Sequence, residues 1–294
     1  MILLGTGASE GIPCVFCECP VCGRARKRGG REVRSRSSLL LDERSIVDFS
    51  RDLFHQALQC GISLNGLEQI FLTHFHEDHI SVEEMGGRTS AIPALEFPVE
   101  VYCSAPAAEQ VRLLFERFRN HNQAHPFDYF QRFRLHPVEP WETFSAGDLR
   151  VTPVISSHHG YGVGEWGYNY QYYSPQGRLL YAVDTGWYRE ETWRFLAGRR
   201  LDCLVIECTY GDWEIPEYAE EHLNLHNLRH MLERLREIGC IGRETPVVLT
   251  HICHLNRLSH EELQAAVREW DFFVQIGWDG MRFPSPAESG RGVE

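Results

Sequence analysis

No stretch of this 294-residue sequence stays apolar for long enough to cross a bilayer, so neither a transmembrane helix nor a membrane partner is expected. The opening residues Met1-Ile2-Leu3-Leu4-Gly5-Thr6-Gly7 lack a basic segment and a cleavage site. They read as a strand running into a turn, and a cytoplasmic location is expected from them. Positive charge is in short supply, with 29 Lys plus Arg against 41 Asp plus Glu and a net charge of −12. That balance disfavours nucleic acid as a partner, because broad phosphate neutralisation needs many basic side chains. It does not exclude a small anionic substrate. Internal repeats, low-complexity tracts and evident linkers are also missing. With 43% hydrophobic residues, enough for a sizeable core, one domain over residues 1–294 is expected.

Histidine and acidic residues, by contrast, are concentrated. Residues 74–79 read His-Phe-His-Glu-Asp-His directly after the apolar run Ile70-Phe71-Leu72-Thr73. His74 and His76 alternate, so in extended backbone they point the same way. After a turn, Asp78 and His79 bring a carboxylate and a third imidazole to the same end of the strand. Imidazole and carboxylate hold zinc or a similar divalent ion while leaving a position open for water. One histidine would be read as a satisfied polar residue; four potential ligands in six residues at a strand mouth are read as a metal site.

The hexapeptide resembles the His-x-His-x-Asp-His signature of the metallo-β-lactamase superfamily. The resemblance implies an α/β fold, an αββα sandwich of two mixed sheets face to face with helices outside and a metal pair at one edge. It also implies further ligands downstream. Three apolar runs match: 151–157 leads to His158-His159, 179–183 to Asp184, and 246–250 to His251. By the resemblance, His74, His76 and His158 hold one ion, Asp78, His79 and His251 hold the other, and Asp184 bridges them, which makes Asp184 central to catalysis. Two ions a few ångströms apart lower the pKa of water and clamp the attacking and leaving oxygens. Successive strand residues face opposite ways, so only one of His158 and His159 can ligate, and the family spacing favours His158. Asp48, closing Ser45-Ile46-Val47, matches a supporting aspartate, although Phe49-Ser50 stands where the family has a glycine turn.

The sequence also carries Cys14-Val15-Phe16-Cys17-Glu18-Cys19-Pro20-Val21-Cys22. Four thiols in nine residues of a reducing compartment point to a closed structural zinc site, held by all four thiols or by three and a distant histidine. Gly5-Thr6-Gly7, Gly11-Ile12-Pro13, the Cys-x-Cys-x-x-Cys run and Thr250-His251-Ile252-Cys253-His254 together resemble one subfamily. It is the phosphoribosyl 1,2-cyclic phosphate phosphodiesterase group of the carbon–phosphorus lyase pathway. The resemblance implies that Cys17, Cys19, Cys22 and His254 bind the structural zinc and leave Cys14 over. The closing Gly277-Trp278-Asp279-Gly280-Met281 is read as structural.

Helical periodicity runs over 221–238, with Leu225, Leu228, Leu232 and Leu235 as the apolar stripe. His222, His226 and His230 recur beside it. The family carries an active-site histidine just before a helix here, which implies that His222 contacts substrate or protonates the leaving group. His226 and His230 are read as a polar flank, and Glu207 as support for the site. The basic run 24–36 is read as a solvated loop. Residues 89–149 carry no motif beyond an amphipathic helix, 108–119, and a loop, 120–126, with His121 and His125. They are open to reading as an insertion, a lid or a homodimer contact.

The leading functional reading is a dinuclear metal-dependent hydrolase, a phosphodiesterase acting on a cyclic sugar phosphate with zinc or manganese. Three alternatives share the fold: an RNA-processing nuclease, a thioester or lactone hydrolase, and a non-catalytic binding protein like the pyrroloquinoline quinone biosynthesis B family. The acidic balance counts against the first, the cysteine cluster against the second, and the complete ligand set against the third.

Overall fold

The chain is described from a computed structural model over residues 1–91, 97–121, 128–174 and 177–283. The opening strand sets the pattern: Leu3 turns to one face, Ile2 and Leu4 to the other, as the period of two in extended chain requires. Leu39, Val47 and Phe71 join Leu3 in the layer between two sheets. Ile46, Ile70 and Leu72 face outward with Ile2 and Leu4 and pack under helices.

One sheet contains β1 (Ile2–Gly5), β2 (Ser38–Leu40), β3 (Ser45–Val47), β4 (Gln69–Phe71), β5 (Val99–Cys103) and β6 (Phe133–Pro137). The other contains β7 (Phe144–Ala146), β8 (Leu149–His159), β9 (Trp166–Ser174), β10 (Gly177–Ala182), β11 (Cys203–Glu207), β12 (Val247–Thr250) and β13 (Val274–Ile276). The last strand, β14 (Met281–Arg282), returns to the first sheet beside β1. Each sheet has seven strands, in the orders β14-β1-β2-β3-β4-β5-β6 and β13-β12-β11-β10-β9-β8-β7. Both are mixed. β1, β2 and β3 pair antiparallel and β3 to β6 parallel; β8, β9 and β10 repeat the first arrangement and β10 to β13 the second.

Helices cover the outer faces. The first is α1 (Pro20–Arg28), followed by α2 (Leu53–Cys60), α3 (Val82–Met85), α4 (Ala105–His121), α5 (Tyr129–Arg132), α6 (Glu190–Leu196), α7 (Leu225–Glu237) and α8 (His260–Val267). The group α2 to α5 packs on the first sheet through Leu53, Met85, Val111, Phe115 and Tyr129. On the second sheet lie α1, α6, α7 and α8, with Leu228, Met231, Leu232 and Leu235 of α7 buried against Leu204, Ile206 and Leu249. Three apolar layers between four layers of structure make the αββα sandwich of the metallo-β-lactamase fold.

Residues 97–149 supply β5 and β6 to one sheet and β7 to the other, so the strands of the stretch read as an insertion belong to the sandwich itself. The expected helix over 108–119 is α4, longer at both ends. Of the 120–126 loop, 122–126 lie outside the described residues, His125 among them. Among the described residues no helix is long and apolar enough to cross a membrane.

Candidate metal centre

Strands β3, β4, β8, β10, β11 and β12 run in a common sense within their sheets, so their carboxyl ends can deliver side chains to one edge of the sandwich. His74 Nε2 lies 2.9 Å from His76 Nδ1, and His158 Nε2 lies 3.5 Å from that same atom. Beside this trio, His79 Nε2 is 3.1 Å and His251 Nε2 is 3.7 Å from Asp78 Oδ2. Asp184 stands between the groups, with Oδ2 2.8 Å from His79 Nε2 and 3.1 Å from His251 Nε2, and Oδ1 3.9 Å from His158 Nε2. The structure therefore brings together all seven residues of the expected active-site set.

The donor atoms fit divalent cations. His79 Nε2, His251 Nε2 and Asp184 Oδ2 are buried, crowded together and without a hydrogen bond. Buried polar atoms are ordinarily satisfied, and converging imidazole and carboxylate lone pairs are satisfied by a metal ion. The local field has the matching sign. Burial opposes a charged His79, yet Asp78, Asp184 and Asp48 hold its pKa well above the ordinary imidazole value. Burial likewise opposes a charged Asp184, but His251 and His79 keep its carboxyl well below the usual range. Positive charge is favoured at the centre of the cluster.

The far sides of the His74, His79 and His251 rings are held as well. Asp48 Oδ2 is 2.7 Å from His79 Nδ1. Thr73 Oγ1 is 3.0 Å from His74 Nδ1 and donates to Asp48. Thr209 Oγ1 is 3.0 Å from His251 Nδ1, whereas Glu221 Oε2 approaches His158 Nδ1 to 2.8 Å without hydrogen-bond geometry. Such partners fix ring orientation and tautomer in metal sites. The glycine that the turn after β3 lacks is replaced by strain at Asp48 itself, which adopts φ 59°. Asp184 and His251 share this left-handed backbone, at φ 49° and 53°. Each such residue costs on the order of 1–3 kcal/mol, and contacts around it must hold it in place. Here Phe49 N–H donates to His79 O at 2.7 Å, Thr185 N–H to Glu207 Oε1 at 2.7 Å, and Ile252 N–H to Thr6 O at 2.9 Å.

His222 precedes α7 rather than lying on it, because the Asn224 side chain caps the helix by accepting from Asn227 N–H at 2.8 Å. The 222/226/230 ladder is thereby broken: His226 is exposed, and His230 pairs with Glu217 at 3.8 Å. His222 Nδ1 lies 3.0 Å from Glu207 Oε1 and 3.8 Å from Asp184 Oδ1. Burial would depress its pKa, but Glu207, Asp184 and Glu221 outweigh that and raise it to about 9. His222 is also close enough to His158 and Asp184 to share an ion with them. The segment bearing it comes in tightly: Gly186 N–H donates to Glu220 O at 2.7 Å, and a Cβ at Gly186 would lie 2.1 Å from Ala219 O. His159 faces away from the cluster and packs tilted against Trp166, 3.7 Å between ring centroids.

Sequence reading missed Glu165, which is buried. Its Oε1 accepts from Phe75 N–H at 2.7 Å, between the two histidines of the motif, and its Oε2 from Gly162 N–H at 2.8 Å. A lone glutamate in a loop carries no signal of that role. Thr73 had one, as a hydroxyl next to His74, whereas Thr209 meets His251 from 42 positions away. Glu165→Gln is expected to lose one acceptor and set an amide N–H against a backbone N–H. Leaving a buried donor unpaired costs about 1–3 kcal/mol, so thermal denaturation should show a lower Tm and chelator competition a weaker hold at His74 and His76. An unchanged Tm and metal affinity would contradict this role.

The cysteine run folds back on the loop after β12. Cys17 Sγ lies 3.3 Å and Cys19 Sγ 3.7 Å from His254 Nδ1, and Cys22 completes the group. Backbone N–H groups of Cys14, Cys19 and Cys22 donate to sulfurs of Cys22, Cys17 and Cys19 at 3.3–3.5 Å. Burial pushes the Cys19 thiol up, but the Cys22 N–H, His254 and Cys17 bring it down to about 6. Arg26 closes the loop by donating to the carbonyls of Cys17 and Cys14 at 2.7 and 2.9 Å. Asp279 behaves as a structural anchor, accepting from Thr6 Oγ1 at 2.7 Å and Ser35 N–H at 2.6 Å.

Comparison with known proteins agrees with this architecture. A family model described as a beta-lactamase superfamily domain matches residues 44–252. An octanoyltransferase of Porphyromonas gingivalis is 26% identical over 289 residues, 95% of this chain. The chain spans only half the length of that relative, 50%. Coenzyme PQQ synthesis protein B of Nitrosococcus oceani is 25% identical over 319 residues, covering 95% of this chain and 97% of its own. A crystal structure described as a new diphosphatase from the PhnP family superposes with a TM-score of 0.67 at 24% identity. It covers 95% of this chain and 94% of its own, and that likeness shows the fold.

Proposed function

We propose, from the premise that this chain belongs to the beta-lactamase superfamily domain family, that it is a metal-dependent phosphodiesterase acting on a cyclic sugar phosphate. The family is one of metal-dependent hydrolases, and the His/Asp clusters here are built to hold divalent ions. In this reading His74, His76 and His158 hold one ion and Asp78, His79 and His251 the other, with Asp184 between them and zinc or manganese as the metal. A pair of such ions, when bound, lowers the pKa of water and stabilises charge on phosphoryl oxygens.

The observation that carries the phosphodiester reading is His222. An imidazole held by Glu207 at 3.0 Å, beside the ligand set, is placed to give a proton to a departing alkoxide. Glu207 fixes that ring because its oxygens also accept from Thr185 N–H at 2.7 Å and Leu223 N–H at 2.9 Å. Cys17, Cys19, Cys22 and His254 take a structural zinc. The octanoyltransferase relative is twice this chain's length, and its named activity is not carried over.

Two measurements test the proposal. Specificity constants should favour a ribosyl 1,2-cyclic phosphate or a 2′,3′-cyclic nucleotide over precursor tRNA, and a clear preference for tRNA would replace it with the nuclease reading. His222→Ala should slow a substrate with an alkoxide leaving group by about 10²–10⁴-fold, and an activated aryl ester far less. Equal losses on both would remove His222 from the proton-donor role.

A further inference from the structure

Two sequence features, the basic run 24–36 and the closing Gly277-Trp278-Asp279-Gly280-Met281, supply no ligand to the metal centre. In the fold they meet. Arg31 of the first lies over the indole of Trp278 in the second, 4.0 Å from guanidinium carbon to ring centroid. With His260, Glu261 and Gln264 of α8 and Arg268 at its end, they line a pocket of about 370 Å³. It shares no residue with the cleft over the metal cluster.

The wall of this pocket is fixed. The Gln264 amide donates to Val274 O at 3.2 Å and accepts from Ile276 N–H at 3.0 Å. His260 is only 7% exposed, and its Nδ1 lies 3.2 Å from Arg34 Nη2. A guanidinium can only donate, so Nδ1 accepts and the proton of the neutral ring sits on Nε2. Burial, Arg34 and Arg31 hold the His260 pKa down to about 4, so the ring is neutral at pH 7. Because Nδ1 is turned inward to Arg34, the Nε2–H edge is the one presented to the pocket. Among the described residues no acceptor meets it.

The charge balance of the lining is positive, two arginines against the one carboxylate of Glu261. Glu32, beside Arg31 in sequence, is engaged elsewhere: it accepts from His260 N–H at 3.3 Å and lies 3.7 Å from Arg28. The indole covers one face of the Arg31 guanidinium and leaves its edge N–H groups to a ligand.

We infer that this pocket is a second ligand site, which binds a phosphate monoester between Arg31 and Arg268 with His260 Nε2–H as the neutral donor. Two guanidiniums match the nearly double negative charge of a monoester at neutral pH, and their forked N–H groups match its oxygens. At ~30 Å³ of liquid per water the volume equals roughly a dozen waters, which is room for a phosphate and a sugar-sized body.

The test is calorimetry on the metal-loaded protein with ribose 5-phosphate, inorganic phosphate and dimethyl phosphate. The Arg31→Gln/Arg268→Gln double variant, with metal content and circular dichroism unchanged, should lose one ribose 5-phosphate binding event or weaken it at least about tenfold, since each arginine makes charged hydrogen bonds. Glu261→Gln should tighten the same event. Ribose 5-phosphate should bind there more tightly than inorganic phosphate, which lacks the body, and far more tightly than dimethyl phosphate, which carries one charge. Binding unchanged in the double variant would place the ligand at the metal cluster alone and overturn the inference. Absence of binding overturns it too, as does equal affinity for inorganic phosphate or dimethyl phosphate. None of these outcomes depends on turnover, so failure here leaves the phosphodiesterase reading standing.

Discussion

Asp184→Ala is expected to lower kcat/KM for phosphodiester hydrolysis by on the order of 10³-fold or more while leaving the fold largely intact. Its Oδ2 lies within 3.1 Å of both His79 and His251, and its Oδ1 faces His158, so the change removes the carboxylate common to both ligand groups. Metal-ion stabilisation of a displacement is worth several kcal/mol, and each 1.36 kcal/mol is a factor of ten in rate. The fold should survive because the side chain sits at the sheet edge, outside the three apolar layers. Kinetics should be paired with metal analysis and circular dichroism. Wild-type activity in a variant shown to have lost metal would sink the two-ion mechanism.

Loss of the zinc proposed for the cysteine site should have the largest effect on stability. Cys19→Ser and His254→Ala are each expected to release one tightly held zinc and lower Tm by about 6–12 °C, taking roughly 3 kcal/mol for a lost ligand and 2–4 °C per kcal/mol at this chain length. The serine variant is informative because residue 19 also caps α1, accepting from Cys22 N–H. Serine is itself a good cap, so the fall in Tm reports the metal and not the helix end. Cys14→Ser should keep the zinc, since the Cys14 backbone N–H, which reaches Cys22 Sγ, is unchanged by the substitution. Zinc lost from Cys14→Ser but retained by His254→Ala would mean that four thiols hold the ion. Activity should fall too, because His254 lies three residues beyond His251 on one loop.

Much of the fold and cluster was legible because the relevant information is local. Apolar runs ending in His or Asp announce strands that deliver polar side chains at their carboxyl ends, and β4, β8, β10 and β12 or the residues just beyond them do so. The order His, Asp, His along the chain carried the rest through resemblance. The helix after His222 was legible from its leucine stripe, but not its first residue. The Asn224 cap decides where the helix begins and so frees His222 to face Glu207.

The sequence by itself marked the strands and the candidate ligands at their ends, because strand period and motif spacing are properties of a few neighbouring residues, and its resemblance to a known family supplied the fold class and the pairing of His254 with the cysteine run. Tertiary structure alone decided which groups hold those residues in place. Glu165 reaches Phe75 across 90 positions of sequence, and Glu221 reaches His158 across a sheet-edge loop. The basic run near the N-terminus read as solvated charge, but packing buries Arg34 and turns Arg26 toward the cysteine loop. Burial and the sign of a local field depend on what the rest of the chain brings alongside, and no segment encodes that alone.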